Sequence, residues 1–170
     1  MSATGFDRAE VENFLYLEAR LADTHAYDAW LGLWTPDAHY WIPCNDDDHD
    51  RRHHISLVNE DYEGLVDRVA RLNSGAAWAQ DPKSRLARVV SNVELQAPSQ
   101  GLEDPLAANL NECVVYSTFN ITSSRRSRIE IIAGRAVHRL RRTNDGLRIV
   151  SKTAMLVDND EVMSNITFLI

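Results

Sequence analysis

Apolar positions along this chain change their period once, so that it reads as helices first and strands afterwards. Val11, Phe14, Leu15 and Leu21 follow an i, i+3, i+4 rhythm with one polar interruption, Glu18. That spacing predicts a helix, with Asp7 as its N-cap. Tyr27, Trp30, Leu31 and Trp34 repeat the rhythm in a second, short helix, and Pro36 follows as a stop. Residues 38–42 then read as a strand, with Tyr40 and Ile42 on one face and His39 and Trp41 on the other. Residues 45–59, NDDDHDRRHHISLVN, lose this regularity and read as a loop or hairpin, with Ile55, Leu57 and Val58 near its returning arm.

The stretch 61–94 reads as a helix, a glycine stop, a loop bearing Trp78 and closed by Asp81-Pro82, and a strand. Leu65, Val69 and Leu72 form one apolar stripe, and Arg68 and Arg71 turn to the other side. Gly75 stands where a helix ends in a left-handed turn, and Pro82 cannot continue one. From there the period is two. Residues 89–97, 112–121, 127–142 and 147–158 carry the β-branched and aromatic content of strands. Asn144-Asp145-Gly146 marks a hairpin between the last two, and PSQGLEDP (98–105) is a turn-rich connection. There are no internal repeats and no interdomain linker. Helices followed by long antiparallel strands predict an α+β fold, helices on one face of a curved sheet, in a single domain over 1–170.

Composition narrows the function. At 170 residues, a domain buries roughly 70% of its unfolded surface, and 44% hydrophobic with 25% charged residues is ordinary globular usage. The net charge of −7 opposes a nucleic-acid surface, which needs a basic field. Cys44 and Cys113 are too few for a disulfide scaffold, and a reduced, cytoplasmic setting is the simplest expectation. The charged N-terminus does not read as a signal peptide, and no apolar run approaches the roughly 20 residues that cross a bilayer. The sequons at Asn120 and Asn165 therefore read as chance.

Candidate chemistry is sparse. His49, His53 and His54 sit among Asp46, Asp47, Asp48 and Asp50, but the segment lacks helical character and the apolar setting that fixes ligand geometry. With Arg51 and Arg52 inside the run, it reads as a solvated loop or polar rim rather than a metal site. His25 falls at a helix junction and suits a turn or cap. His39 faces either solvent or the inner face of the sheet. His138 lies on a strand with Arg135, Arg139, Arg141 and Arg142, a region that is either a solvated strand and turn or a partner surface. No Gly-x-Ser-x-Gly elbow, activated cysteine or phosphate-binding glycine loop is present. Neither a Rieske motif nor a two-His, one-carboxylate triad can be assembled. The expected catalytic, cofactor-binding and metal residues are thus none.

Three segments in order resemble one family. DRVARLNSGAAWAQDPKSR followed by VSNV is the most specific; FLYLEARLADTHAYDAWLGLWTPDAHYWIP and DGLRIVSKTAMLVDNDEVMSNITFLI flank it. Together they resemble the small (beta) subunits of Rieske-type aromatic ring-hydroxylating dioxygenases. Departures are Arg88, where the family commonly has His, and Ala136-Val137-His138 in place of a more acidic stretch. The resemblance implies a cone-shaped nuclear-transport-factor-2-like fold, with N-terminal helices on a strongly curved, mainly antiparallel sheet. It implies a heteromer of three large and three small chains, with self-association of the small chains as a trimer. The large chain is then expected to carry a Rieske [2Fe-2S] cluster and a mononuclear Fe(II), with electrons from NAD(P)H through a separate reductase. Dioxygen is added to an aromatic ring, and this chain is structural.

The same superfamily supplies a rival. Ketosteroid isomerases resemble YDAWLGLWTPDAHYWIP (27–43), but their proton-abstracting aspartate precedes the proline, and here that residue is Ile42. An alkyl side chain cannot serve as a base. A dehydratase-like enzyme using Tyr40, His25 or His39, or a free-standing homo-oligomeric module with a small ligand in the cone, are the alternatives. The enzyme reading predicts an enclosed polar pocket with a titratable pair shifted by burial.

Overall fold

A computed structural model describes residues 5–44, 56–75, 82–96, 111–159 and 167–170. Helix α1 spans Arg8–Asp23, α2 Tyr27–Leu31 and α3 Tyr62–Asn73. The strands are β1 Trp34–Pro43, β2 Ser56–Asp61, β3 Arg85–Gln96, β4 Glu112–Arg125, β5 Arg128–Thr143 and β6 Gly146–Leu156. They form one sheet in the order β2-β1-β6-β5-β4-β3. Every pairing is antiparallel except β1 with β6, which is parallel because the chain returns from the far edge to lie beside its first strand. The α+β expectation holds, with all three helices on the N-terminal half. The His/Asp cluster at 46–54, Trp78, Asp81, the turn at 98–105 and Asn165 lie outside the described residues.

Local chemistry explains the elements. Asp7 accepts from the Glu10 amide at 3.0 Å, the N-cap that the sequence predicts for α1. Asp61 does the same for α3 through the Gly64 amide at 2.9 Å. Gly75 follows α3 with φ +69°, the left-handed stop expected of it. Leu65 and Val69 are buried and Leu72 packs against the core. Arg71 is exposed, but Arg68 is half-buried and clamps Glu60 of β2 at 2.7 and 2.8 Å.

Trp34 departs from the helical expectation. Helix α2 ends at Leu31, and Trp34 opens β1, its ring centred 5.0 Å from that of Trp30 and tilted 60° to it. The i, i+4 spacing of two core tryptophans is met as well by a helix turning into a strand, so periodicity alone misplaces the boundary. Pro36 accordingly lies inside β1 rather than after a helix. It falls where the β1–β6 register shifts between Trp34 and His39, so its missing N–H costs no ladder bond.

Two bulges set which residues enter the interior. In β6 the register with β5 skips Val150, so the buried set changes from Leu147 and Ile149 to Lys152, Ala154 and Leu156. In β3 the shift between Ser91 and Glu94 centres on Asn92, at φ +51°, and moves the inward set from Arg88 and Val90 to Val93 and Leu95. Gly134 of β5 is a third fixed point. A Cβ there would stand 2.5 Å from the Met155 carbonyl and 2.7 Å from Phe119 Cζ, so only glycine lets β4 and β6 close in.

Candidate functional site

Three ionisable side chains meet in the interior between α1 and the sheet. Glu18 comes from the buried stripe of α1, His138 from β5 and Lys152 from β6. Lys152 Nζ donates to Glu18 Oε1 at 2.6 Å, and Trp30 Nε1 reaches the same oxygen at 3.3 Å. His138 Nε2 stands 3.3 Å from Glu18 Oε2, a separation without hydrogen-bond alignment, and Nδ1 has no partner among the described residues. The ring is 3% exposed.

Burial alone would raise the Glu18 carboxyl, but the Lys152 charge and the His138 and Lys152 contacts hold it well below the usual carboxylate range. Burial lowers the Lys152 ammonium against the pull of Glu18. Burial also lowers the His138 imidazole, because desolvation outweighs the nearby carboxylate. The arrangement is therefore a buried Glu⁻–Lys⁺ pair facing a neutral histidine. Around it, Leu15, Ala19, Val90 and Phe119 leave a cavity of about 20 Å³. One water needs roughly 10–15 Å³ of such space, whereas ligand pockets run to about 300 Å³ and more. Among the described residues, the titratable pair expected of an enzyme is present, and the cavity beside it has space for about one water.

Residues 168–170 pack beside this cluster, and Ile170 lines the same cavity. Phe168, Leu169 and Ile170 are 6%, 1% and 2% exposed. Their backbone is gripped by side chains: Tyr40 OH donates to the Ile170 oxygen at 2.9 Å and accepts from its amide at 3.2 Å. Arg88 Nη2 donates to the Leu169 carbonyl at 2.9 Å. Arg88 is in turn held by Asp23 of α1, Nε to Oδ1 at 2.7 Å and the backbone amide to Oδ2 at 2.9 Å. Burial raises the Tyr40 phenol, which stays a neutral donor.

The other singled-out residues are elsewhere. His25, at φ 58°, bridges Tyr27 OH at 2.8 Å and the Ser84 carbonyl at 2.9 Å, the turn role expected of it. The Ser84 carbonyl can only accept, so Nε2 carries the proton and Nδ1 accepts from Tyr27. His39 meets Asn59 Oδ1 at 2.8 Å on a more exposed face, away from the cluster. Three of the arginines around His138, Arg139, Arg141 and Arg142, are tied to acids of the same chain. Buried Glu112 binds both Arg139 and Arg141, the latter at 2.7 Å. Arg141 also forks onto Asp37 at 2.9 and 3.0 Å, holding that carboxyl down to about 2. Arg142 forks onto Glu10 at 2.7 and 2.8 Å and covers the Phe6 ring. Among the described residues, no group of three or more His, Cys, Asp and Glu could hold a metal ion, and no helix is long and apolar enough to cross a membrane.

The model of the ring hydroxylating beta subunit family matches residues 17–164. The small oxygenase component of the p-cumate 2,3-dioxygenase system of Pseudomonas putida is 36% identical over 151 residues, 88% of this chain and 78% of that protein. Among solved structures, the beta subunit of the benzoate 1,2-dioxygenase of Burkholderia mallei superposes with a TM-score of 0.74 at 28% identity, covering 98% of this chain and 100% of that one. A nuclear-transport-factor-2-like protein of cystatin-like fold from Novosphingobium aromaticivorans, 15% identical with a TM-score of 0.58, covers 89% of this chain and 82% of its own, and shares the fold. On the family model and these relatives together, this chain belongs to the ring hydroxylating beta subunit family.

Proposed function

We propose that this chain is the small, non-catalytic subunit of a multicomponent Rieske non-haem iron aromatic-ring-hydroxylating dioxygenase, acting as a single domain over 1–170 in the cytoplasm. Its work is to hold large catalytic chains in place, three copies with three large chains, the small chains also associating as a trimer. The observation that carries this reading is the family match over residues 17–164 together with a 36% identical relative that is itself a small oxygenase component. The Rieske [2Fe-2S] cluster and mononuclear Fe(II) belong to the large chain, and NAD(P)H supplies electrons through a separate reductase. In this reading both iron groups sit on the large chain; among the described residues of this one, no group of three or more His, Cys, Asp and Glu could hold a metal ion.

Two features support a scaffold role. Among the described residues, Phe168, Leu169 and Ile170 are buried, and the cavity beside Glu18, His138 and Lys152 has space for about one water. The outer face of the sheet carries Val89, Ile129 and Ile131, each more than 60% exposed, an apolar strip of the kind that partner chains cover. The test is co-expression with a candidate large chain. A stable complex of equal stoichiometry is expected, with oxygenase activity lost when the small chain is omitted. A large chain that assembles and turns over fully alone overturns the reading.

A further inference from the structure

Residues 168–170 are seated in the interior as a ligand would be. Their side chains lie in apolar surroundings, and their backbone oxygens are held by two donors converging from different strands, Tyr40 OH from β1 and Arg88 Nη2 from β3. Neither strand pairs with this segment; its described grip is by side chains. That is how a small-molecule site is built: an apolar body with a few placed polar groups. Ile170 forms one wall of this cavity, and Glu18, Arg88, Ser117, His138 and Lys152 form the polar part of its lining.

We infer that the interior is a latent binding site for a small hydrophobic carboxylic acid, such as an arene carboxylate, and that residues 168–170 occupy it as an internal ligand. The class follows from what the segment presents. Tyr40 and Arg88 both donate to oxygen, so withdrawal of residues 168–170 frees two convergent donors, one of them cationic. Asp23 keeps Arg88 aimed through Nε, leaving Nη2 for the incoming oxygen. Leu15, Val90 and Phe119 supply the apolar wall for a ring or branched chain. The unpartnered His138 Nδ1 offers a further acceptor at the inner end for a ring hydroxyl or amine. The tethered segment competes with any free ligand, so the apparent affinity of the unaltered chain is reduced by its closed fraction.

The test uses the full chain and benzoate as the probe. Phe168→Ala, Leu169→Ala and Ile170→Ala together are expected to weaken the internal ligand and raise benzoate affinity at least about tenfold over the unaltered chain, read by calorimetry. Adding Arg88→Met to that background is expected to lower the affinity again by about tenfold or more, the weight of one charge-assisted hydrogen bond. Toluene, which has the ring without the acceptor oxygens, is expected to bind at least about tenfold more weakly than benzoate. A folded triple variant that binds benzoate no better than the parent overturns the inference, as does equal binding of toluene. Should the triple variant fail to fold, hydrogen exchange in the unaltered chain decides. Excess benzoate is expected to speed exchange at the Ile170 amide, which Tyr40 now protects, while leaving α1 unchanged. No change at Ile170 overturns the inference.

Discussion

Glu18 and Lys152 lie 134 residues apart in the chain and 2.6 Å apart in the fold, and between them they fasten α1 to β6. Both are buried, so the pair is not a surface ornament but a desolvated ion pair with Trp30 and His138 at its sides. Removing one partner leaves an uncompensated charge in the interior, which costs several kcal/mol, whereas replacing both by apolar groups of similar size is often neutral. Glu18→Leu or Lys152→Met alone is expected to destabilise the chain by about 3–5 kcal/mol, and the double variant by much less than the sum. Urea unfolding of the four proteins measures the coupling. Additive losses would mean that the charges do not sense each other.

His138 gives this cluster a pH dependence with a definite sign. Its folded pKa is depressed below the ordinary 6.5, so the unfolded chain binds the proton more readily. The stability it contributes is whole above about pH 6.5 and is lost as pH falls through the lower folded value. Glu18, also depressed, begins to matter only below 4.5. Glu18 from α1 and Lys152 from β6 face the ring, and Arg88 from β3 lines the same cavity. The loss of stability between pH 6.5 and 4.5 is therefore expected to shrink in His138→Phe. Urea midpoints across that range provide the comparison, and an unchanged slope would remove His138 from the account.

Much of this architecture is legible in the residues, and what is hidden has a physical cause. Glu18 stands out in the sequence as the one polar member of an apolar stripe, which is the signature of a buried charge that has a partner. Lys152 does not stand out. Strict alternation from Leu147 and Ile149 places it outside the sheet, and only the bulge at Val150 turns it inward. Arg88 is likewise read inward only once the phase change at Asn92 is known. His138 carries no local signal for burial among four arginines; Arg135, Arg139 and Arg141 alternate with it, and Arg139, Arg141 and Arg142 meet acids on α1, β1 and β4. Residues 168–170 are recognisably apolar, but where an apolar segment without secondary structure docks is a long-range property that periodicity cannot express.

Gly134 is predicted to be irreplaceable by its nearest neighbour in size. The methyl of Gly134→Ala would meet the Met155 carbonyl at 2.5 Å and the Phe119 ring at 2.7 Å. The ring can turn, but a ladder carbonyl cannot retreat without breaking the β5–β6 register. Gly134→Ala is expected to cost about 1–3 kcal/mol by overpacking. Phe119→Leu in the same chain is expected not to restore it, since the backbone clash persists. A thermal melt of both variants checks this, and full rescue by Phe119→Leu would place the clash on the ring instead.

The two acids that hold Arg141 are expected to differ sharply in weight. Asp37 has a side chain 58% exposed, and Glu112 one that is 3% exposed and binds Arg139 as well. Solvent and salt screen the first pair, which is worth about 0–1 kcal/mol, and Asp37→Asn is expected to fall in that range. Glu112→Gln keeps the shape but removes the buried charge facing two guanidinium groups, and a loss of about 3 kcal/mol or more is expected. The salt response separates them further. Raising ionic strength from low values to 1 M shortens the screening length to about 3 Å and is expected to erase the Asp37→Asn difference while leaving most of that for Glu112→Gln. Parallel urea titrations at the two salt concentrations provide the measurement. Equal penalties for the two substitutions, with equal salt sensitivity, would mean that Glu112 is solvated in solution and that its two arginines are held by packing rather than by charge.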